Sequence, residues 1–427
     1  MNEIYIGILG LGTVGSGVVQ ILTSNAEDIT NRTNSHIHVK KVLVRNLQTP
    51  RSVSGDFTLT DQPDDILQDP DIDIIIEVMG GIEPARTYIL EALRHGKNVV
   101  TANKDLLALH GHELLDAAKA AGKDLYFEAS VAGGIPIIAA LKQSLAANKI
   151  STVIGIINGT TNYILTAMTE QGRNYEEVLK EAQSLGYAEA DPTSDVEGLD
   201  AARKLAILSS IAFNSRVTIN DVYVDGISRI TAEDIAYAKE LDSCIKLLAI
   251  AKHQDDGLEI RVHPAILPKS HPLASVSGVF NAVYIVGDAV GETMFFGRGA
   301  GSLPTGSAVV SDIMQVVRNM ETQSTSAINC TCYYDLPLKK SDDFHTSFYI
   351  RMRVKDEPRV LATLALLFAE ANVSFATIIQ KQKANQEAEL VLVTHPIYES
   401  QLREALDSVK AYSKVLSIHN VIRFEAN

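Results

Sequence analysis

Apolar runs alternate with amphipathic stretches through the first third of the chain. The opening run IYIGIL predicts a strand, and VVQILTSNAEDI predicts the helix that follows it. Alternation of this kind is typical of a parallel, doubly wound α/β sheet, whose two faces are both covered by helices. The later runs that continue the pattern are HIHVKKVLV, IDIIIEVMGG, PARTYILEALRHG, NVVTAN, DLLALHGHELLDAAKAAG and DLYFEASV.

The alternation ends at Ala132-Gly133-Gly134-Ile135-Pro136, and a second domain is predicted from there. PIIAALKQSLAAN predicts a helix and STVIGIIN a strand, while two further helices are expected near 197–213 and 231–252. LEIRVHPAIL and NAVYIVGDA predict additional strands. This inventory indicates an α+β domain.

The last quarter of the chain predicts a small domain of its own. Residues 321–345 are polar and irregular, which is typical of a connection carrying one or two short strands. The pattern after them predicts strand, helix, two strands, helix, strand, the ferredoxin-like βαββαβ order. We therefore expect domains at 1–130 and 131–320, with 305–320 able to pack back on the first, then a linker at 321–345 and a final domain at 346–427.

Charge and cysteine content narrow the class of protein. The chain carries 38 Lys and Arg against 52 Asp and Glu, a formal net charge of −14, which argues against nucleic-acid and anionic-membrane partners. Cys244, Cys330 and Cys332 are too few for a disulfide framework. No signal segment or membrane-spanning run is evident, so we expect a cytoplasmic protein that acts on small molecules.

A glycine-rich turn joins the first predicted strand to the first predicted helix. In this βαβ setting the glycines allow backbone N–H groups and the helix N-terminus to hold a pyrophosphate, so the motif predicts a dinucleotide-binding fold. Its residues are Gly10, Leu11, Gly12, Thr13, Val14 and Gly15.

The end of the second predicted strand bears on the choice of dinucleotide. It carries Arg45, where a fold that prefers NADH usually offers an acid to the ribose 2′-hydroxyl. An arginine can pair with a 2′-phosphate, which favours NADPH while leaving NADH possible; a simple surface charge is the alternative. Lys40 and Lys41 add positive potential nearby.

Two further stretches place lysines and acids where chemistry can occur. Asn103-Lys104 follows the strand NVVTAN at the edge where open α/β sheets bind ligands, although Lys104 can equally be a solvated helix start. In LGYAEADPTSDVEGLDAARK, Gly186 is predicted to end a helix in the left-handed conformation and Glu189 lies on the loop beyond it.

The helix after that loop carries Asp200 and Lys204 four residues apart, hence on one face. An exposed salt bridge is the simple interpretation of such a pair. The helix is largely apolar, however, and charges on a buried helix require partners.

The histidines and a second glycine-rich stretch give weaker indications of function. The histidines have no ligand spacing with one another or with cysteine, which argues against a transition-metal site. His263-Pro264 and His271-Pro272 are predicted to lie in turns, and Gly297-Arg298-Gly299-Ala300-Gly301 is a candidate second phosphate-approaching loop.

Four motifs together carry a family resemblance. GLGTVG, NKDLLA, NGTTNYIL and GYAEADPTSDVEGLDAARK resemble the corresponding stretches of homoserine dehydrogenases, and the final domain, about Phe348 to Phe424, resembles their C-terminal ACT domain. No kinase domain precedes Met1, so the resemblance is to the single-function form. It implies a Rossmann domain and the reversible, NAD(P)-dependent reduction of L-aspartate 4-semialdehyde to L-homoserine, on the route to threonine, methionine and isoleucine.

The resemblance also implies roles for individual residues. Lys204, Lys104 and Asp200 would be catalytic, with Lys204 transferring the proton. The implied substrate-binding residues are Glu189, Asp200, Gly186, Asn158 and Thr160. The implied cofactor-binding residues, besides the glycine-rich turn and Arg45, are Asn103, Lys104, Gly186 and Gly301. A monovalent cation, often sodium in this family, would be held by Glu128, Val131, Gly133 and Ile135.

Elementary chemistry agrees with these roles. Hydride addition to an aldehyde leaves an alkoxide, to which a lysine ammonium can give a proton, and Lys204 and Lys104 suit that task. Glu189 is an available counter-charge for the α-ammonium of an amino-acid substrate.

Two other functions are compatible with a nucleotide-binding fold. An aspartate-semialdehyde dehydrogenase would need a thiolate nucleophile, and no cysteine here has a suitable setting. A non-catalytic sensor that binds NADPH and an amino acid would not need the set of lysines and acids.

The resemblance also bears on assembly and regulation. A homodimer or homotetramer is expected. The ACT loop reads Asp356-Glu357-Pro358-Arg359, with arginine where glycine is usual, so threonine is expected to inhibit weakly or not at all.

Overall fold

The computed structural model describes residues 1–51, 53–325 and 330–425, which form two compact units. The first unit comprises Met1–Val153, Arg203–Val222 and Asn281–Leu336. The second comprises Ile154–Ala202, Tyr223–Phe280 and the chain from Pro337 onward. Residues 326–329 of the predicted connection and 426–427 of the predicted last domain lie outside the described residues.

Strands and helices cover most of both units. The strands are β1 (Asn2–Leu9), β2 (Ser35–Leu43), β3 (Thr58–Thr60), β4 (Ile74–Glu77), β5 (Asn98–Thr101), β6 (Leu125–Tyr126), β7 (Ile150–Ile156), β8 (Tyr223–Val224), β9 (Ser243–Gln254), β10 (Gly257–Pro268), β11 (Phe280–Gly287), β12 (Gly291–Arg298), β13 (His345–Lys355), β14 (Phe375–Lys383), β15 (Glu387–Thr394), β16 (Ile397–Tyr398) and β17 (Val415–Phe424). The helices are α1 (Thr13–Ser24), α2 (Ala26–Thr33), α3 (Asp64–Leu67), α4 (Ala85–Arg94), α5 (Lys104–Ala121), α6 (Ile137–Ala139), α7 (Gly159–Gln171), α8 (Tyr175–Ser184), α9 (Thr193–Val196), α10 (Leu199–Ala212), α11 (Ala232–Glu240), α12 (Ser302–Glu321), α13 (Val360–Glu370) and α14 (Glu399–Ala411).

The first unit contains the predicted parallel sheet. Its six strands run in the order β3-β2-β1-β4-β5-β6, and each neighbouring pair is parallel. This is the strand order of doubly wound dinucleotide-binding folds, in which the order reverses between β1 and β4 and ligands bind at the carboxyl edge of that crevice. The prediction of a parallel α/β sheet is therefore confirmed.

Helices α1 and α12 pack closely in the core of this sheet. Val18 of α1 and Val309 and Ile313 of α12 are fully buried with Ile6 of β1. The approach depends on glycine, because a Cβ on Gly17 would lie 2.1 Å from the carbonyl oxygen of Ser302. Residues 305–320 thus belong to a helix that covers the first sheet.

The second unit contains a mixed sheet. β9 and β10 pair antiparallel along their full lengths, and β10 pairs parallel with the end of β17. Beyond β17 the order continues through β13 and β15 to β14, all antiparallel. The strands and helices of the last part of the chain follow the predicted strand, helix, two strands, helix, strand, with the two-residue β16 inserted, and they bury a core of their own around Phe348, Leu364 and Phe368.

Several predicted elements differ from those observed. The helix expected at 231–252 ends at Glu240, and β9 follows it. Residues from Ile245 to Ala251 are buried on both faces of that strand, so their apolar run has no period that distinguishes strand from helix. His263-Pro264 lies inside β10 rather than in a turn, whereas the turn predicted at His271-Pro272 is present as a short 3₁₀ helix.

The ends of some helices and strands also differ from those predicted. The first predicted helix is divided at Asn25 into α1 and α2, and the predicted strand DLYFEASV shortens to β6 followed by a 3₁₀ turn at Glu128–Ser130. In the described part of the connection, two isolated bridges, at Tyr334 and Leu338, stand where one or two short strands were expected. Among the described residues, no helix has the length and apolar character needed to cross a bilayer.

We expect Gly17→Ala to destabilise the protein by about 1–3 kcal/mol, because the added methyl group must push α12 away from α1. Gly111→Ala is the matched control, since a Cβ there would lie 3.9 Å from Leu107 and alanine favours a helix interior by about 1 kcal/mol over glycine. Thermal unfolding monitored by circular dichroism should show a lower midpoint for the first variant only. Equal midpoints for the wild type and Gly17→Ala would contradict the close packing.

Candidate active site

The glycine-rich turn lies between β1 and α1, at the carboxyl edge of the parallel sheet. Gly10 has a φ of +105°, and a Cβ on Gly15 would lie 2.2 Å from the Gly10 carbonyl oxygen. A Cβ on Gly12, at the start of α1, would meet no described atom within 4 Å. The backbone is therefore crowded at Gly10 and Gly15 but unobstructed at Gly12, which leaves room for a pyrophosphate to approach the helix N-terminus.

A cavity of about 520 Å³, large enough for a small ligand or part of a cofactor, adjoins this turn. Arg45, at the end of β2, lines it together with Arg51 and Asp61. Arg51 donates a hydrogen bond to the Asn46 carbonyl oxygen (2.9 Å), and its Nε is buried without a hydrogen-bond partner in the described parts of the chain. Sequence reasoning missed Arg51; its only signal is a second arginine in the polar segment after β2.

Lys40 and Lys41 do not act as free positive charges beside this cavity. Both pair with Asp69, at 3.0 and 2.8 Å, and Lys40 also pairs with Asp71 at 2.8 Å. Partial burial raises the pKa of Asp69, but the hydrogen bonds from Lys41 and Lys40 outweigh it and lower that pKa to about 2. The positive potential expected from the two lysines is therefore offset by carboxylates.

The start of α5, which carries Lys104, is held by hydrogen bonds of Asn103 and lies beside the buried carboxylate of Glu77. Asn103 caps α5 by accepting the N–H of Leu106 (3.2 Å), and its amide donates to the Gly81 carbonyl oxygen (2.6 Å). Next to it, Glu77 accepts a hydrogen bond from the Thr101 hydroxyl (2.6 Å), while burial raises the pKa of Glu77. Glu77 was missed, although an acid at the end of the apolar strand IIIE is a detectable signal.

Lys204 lies on α10, one turn after Asp200. Asp200 is buried, with 4% of its surface exposed, and Lys204 is partly buried. Between the two, Arg203 forms an ion pair with Asp105 at 2.9 Å, within the first unit. Because Asp105 follows Lys104 and Arg203 precedes Lys204, this ion pair brings the two lysine-bearing backbone segments together.

The second unit gathers a group of polar residues around Asn158. Its side chain caps α7 by accepting the N–H of Thr161 (2.9 Å) and donates to Asp195 (2.7 Å) and Asp200 (2.9 Å). Asn158 therefore fixes two carboxylates, of which Asp195 was not predicted. Sequence gave no signal for Asp195 beyond its place in an acidic loop.

The loop after α8 has the predicted turn. Gly186 has a φ of +74°, and Thr160 donates a hydrogen bond to the Tyr187 carbonyl oxygen (2.6 Å), which ties this loop to the start of α7. Glu189 is exposed, and its backbone carbonyl accepts a hydrogen bond from Gln183 (3.1 Å). The loop is thus anchored while the Glu189 carboxylate remains accessible.

The predicted cation-binding segment surrounds a buried carboxylate. Glu128 accepts the backbone N–H groups of Ile138 (2.8 Å) and Ala139 (2.6 Å), and burial raises its pKa. The chain from Val131 to Ile135 turns through positive φ at Ala132 and Gly133 (+54° each). A Cβ on Gly133 would lie 2.5 Å from the Gly299 carbonyl oxygen, so this turn requires glycine there.

The second glycine-rich stretch adjoins the first. Gly297 and Arg298 end β12, so the predicted loop is shorter than expected. Gly301, with a φ of +121°, precedes α12, and the Ser302 hydroxyl donates to the Thr13 carbonyl oxygen at 2.8 Å. Gly301 is therefore placed beside the start of α1.

One grouping of a histidine with two cysteines was not indicated by their spacing in the sequence, which argued against a transition-metal site. His112 of α5 has a ring nitrogen within 4.8 Å of the thiols of both Cys330 and Cys332. Their separation in sequence hides this cluster, since only folding brings the two segments together.

Comparisons with known proteins identify the family. A family model described as homoserine dehydrogenase matches residues 136–314, and one described as homoserine dehydrogenase, NAD binding domain, matches residues 10–128. The homoserine dehydrogenase of Bacillus subtilis (strain 168) is 46% identical across 100% of this chain and 99% of its own.

Solved structures agree as well. The crystal structure of a homoserine dehydrogenase from Thiobacillus denitrificans is 44% identical with a TM-score of 0.95, covering 100% of this chain and 99% of that one. A hyperthermophilic archaeal homoserine dehydrogenase in complex with NADPH is 27% identical with a TM-score of 0.63, covering 74% of this chain and 97% of that one.

The parallel sheet with its glycine-rich turn and the full-length similarity lead to one conclusion. The chain belongs to the homoserine dehydrogenase family, whose members are oxidoreductases acting on a CH–OH group.

Proposed function

We propose that the chain interconverts L-aspartate 4-semialdehyde and L-homoserine with NADPH as the preferred hydride donor, and that Lys204 transfers the proton. The observation that carries the assignment of the proton donor is the Asp105–Arg203 ion pair at 2.9 Å, which joins the segments that bear Lys104 and Lys204. Two ammonium groups on joined segments can serve one developing alkoxide.

The dinucleotide supplies the hydride, and the protein supplies its binding and orientation. Arg45 and Arg51 line the cavity beside the glycine-rich turn, and the buried Nε of Arg51 has no hydrogen-bond partner among the described residues. A 2′-phosphate would satisfy such groups through charge-assisted hydrogen bonds. The NADPH complex of the archaeal relative supports the same choice. Asp61 lines the same cavity and could accept a hydrogen bond from the ribose 2′-hydroxyl of NADH, so NADH could still bind, more weakly than NADPH.

The proton step needs a positive group held in place. Hydride addition turns the aldehyde oxygen into an alkoxide, and an ammonium at that oxygen both stabilises the charge and gives the proton. Asp200, one turn from Lys204, is itself held by Asn158 at 2.9 Å. A fixed carboxylate can orient a neighbouring lysine head, which is the role we assign to Asp200.

Substrate recognition requires groups complementary to an amino acid. Glu189 offers an accessible carboxylate for the α-ammonium, on a loop tied by Gly186 and by the Thr160–Tyr187 hydrogen bond. Asn158 and Thr160 at the start of α7 would complete the polar contacts, and Gly186 would leave room for backbone approach. The same reaction lies on the route to threonine, methionine and isoleucine.

A monovalent cation fits the Glu128 segment. Hard cations prefer carboxylate and carbonyl oxygens, and Glu128 with the backbone of Val131, Gly133 and Ile135 offers that set. The turn at Ala132 and Gly133, both at φ +54°, bends the backbone so that successive carbonyls can face inward. Such an ion, sodium for example, would supply a fixed positive charge that holds this turn.

The last domain, residues 346–427, is proposed to be an ACT domain that serves assembly as a homodimer or homotetramer. Its strand order and the core around Phe348 and Phe368 support this assignment. Arg359, at the place where the family usually has glycine, has a φ of +74°, a conformation that costs energy for a residue with a Cβ. A Cβ and a long charged stem at this place would hinder the approach of an amino-acid effector to the backbone.

We expect Lys204→Ala to lower kcat by about 10²-fold or more in both directions, because the alkoxide loses its proton donor. NADPH binding, followed by fluorescence, should be nearly unchanged. Lys119→Ala, at an exposed position near the end of α5, is the control and should retain full activity. Near-normal kcat in Lys204→Ala would remove Lys204 from the reaction.

Arg45→Asp should weaken NADPH binding by about 10- to 100-fold, the equivalent of one charge-assisted hydrogen bond of about 1.5–3 kcal/mol, and leave NADH binding unchanged or improved. Arg32→Asp makes the same charge change at an exposed position of α2 and should affect neither cofactor. Dissociation constants for both dinucleotides decide the matter; equal losses for NADPH and NADH would place Arg45 away from the 2′ position.

Threonine at millimolar concentration should inhibit the wild type weakly or not at all, because Arg359 hinders backbone access in the effector loop. Arg359→Gly should increase the inhibition, whereas Arg359→Ala, which removes the charge but keeps a Cβ, should not. Initial rates at graded threonine concentrations test this. Strong inhibition of the wild type would refute the proposal.

A further inference from the structure

A cluster of His112, Cys330 and Cys332 lies apart from the residues assigned above. His112 is in the middle of α5, eight residues beyond Lys104, which corresponds to about 12 Å along a helix. The two cysteines belong to the segment that leads to the bridge between Tyr334 and Ser215. All three residues are in the first unit, and their ligand atoms lie within 4.8 Å of one another.

A small cavity of about 40 Å³ adjoins the cluster. Its lining includes all three side chains and otherwise mainly apolar ones, among them Leu107 and Phe127. One water needs roughly 10–15 Å³ measured in this way, so the space admits an ion and a water. The apolar walls would shield the ion from bulk solvent.

The imidazole of His112 has an unused nitrogen. Nδ1 is buried and has no hydrogen-bond partner in the described parts of the chain. A buried polar atom without a partner is costly, so a nitrogen of this kind needs a ligand, an ion or water. The Cys332 thiol donates a weak hydrogen bond, 3.7 Å, to the Ser210 carbonyl oxygen.

The ligand types select the class of metal. Two cysteine sulfurs and one imidazole nitrogen suit zinc and other soft or borderline ions, whereas sodium, magnesium and calcium prefer oxygen. Tetrahedral zinc, with Zn–S of about 2.3 Å, holds two sulfurs about 3.8 Å apart, so the ligand atoms would need to close by at most about 1 Å. Three protein ligands leave the fourth position for water.

We propose that His112, Cys330 and Cys332 form a zinc-binding site with water as the fourth ligand. Lys142 also lines the cavity and interacts electrostatically with the two cysteines, Asp312 and Glu128. Binding would fasten the 330–334 segment to α5. That segment also reaches the residues after α10, since the Tyr334 N–H donates to the Asn214 carbonyl oxygen at 2.9 Å. The metal would therefore stabilise the contacts of this segment with α5, which carries Lys104, and with the residues that follow α10, which carries Lys204.

The test uses the full-length chain, reduced, freed of metal with a chelator and titrated with Co²⁺ as a spectroscopic substitute for zinc. We expect thiolate-to-cobalt charge-transfer and tetrahedral d–d absorption that saturate at one ion per chain and disappear when Zn²⁺ is added. Zinc should also raise the midpoint of thermal unfolding. Cys330→Ser, Cys332→Ser and His112→Gln should each weaken binding at least about 10-fold.

Cys244→Ser is the matched control, because Cys244 is the remaining cysteine and is buried in the second unit. It should bind cobalt as the wild type does. Three outcomes would overturn the proposal: no thiolate-to-cobalt band in the wild type, a band that survives Cys330→Ser and Cys332→Ser, or metal-free protein whose mass and thiol count show a Cys330–Cys332 disulfide and which, after reduction, still binds no ion.

Discussion

Helix α10 is buried, and every charge on a buried helix needs a partner. Asp200 receives the amide of Asn158 at 2.9 Å, and Arg203 pairs with Asp105 at 2.9 Å. Neither partner is near in sequence: Asp200 contacts the start of α7 within the second unit, and Arg203 contacts α5 within the first. The candidate chemistry depends on this constraint, because Lys104 begins α5 and Lys204 lies next to Arg203. An ion pair and a hydrogen bond that are structural in themselves thus place the residues proposed to react.

A second constraint is steric and acts through glycine. α1 and α12 approach so closely that a methyl group at Gly17 would lie 2.1 Å from the Ser302 carbonyl oxygen. The same approach brings Gly301 beside the start of α1, where the pyrophosphate of a dinucleotide would lie. The close packing of α1 and α12 therefore also sets the position of Gly301 next to the glycine-rich turn.

Prediction from sequence succeeded where a local pattern has one structural meaning. The strand and glycine-rich turn at residues 4–15 are present as β1 and the turn before α1, although the predicted helix is divided at Asn25. Gly186 adopts the left-handed conformation that its position predicted. Prediction failed where burial removes periodicity: residues 245–251 are buried on both faces of β9, and His263 of β10 is buried as well. The roles of Lys40 and Lys41 were misjudged for a different reason, since their partner Asp69 is almost 30 residues away.

The sequence by itself determined the parallel sheet, the dinucleotide turn, the family and the identity of the lysines and acids proposed to act, because each is encoded by neighbouring residues or short motifs. Only the tertiary structure decided which charges meet and which cavities form. The contact of Asn158 with Asp200 and the meeting of His112 with Cys330 and Cys332 each join segments distant in sequence. Such contacts follow from the packing of whole elements, and no local pattern of residues records them.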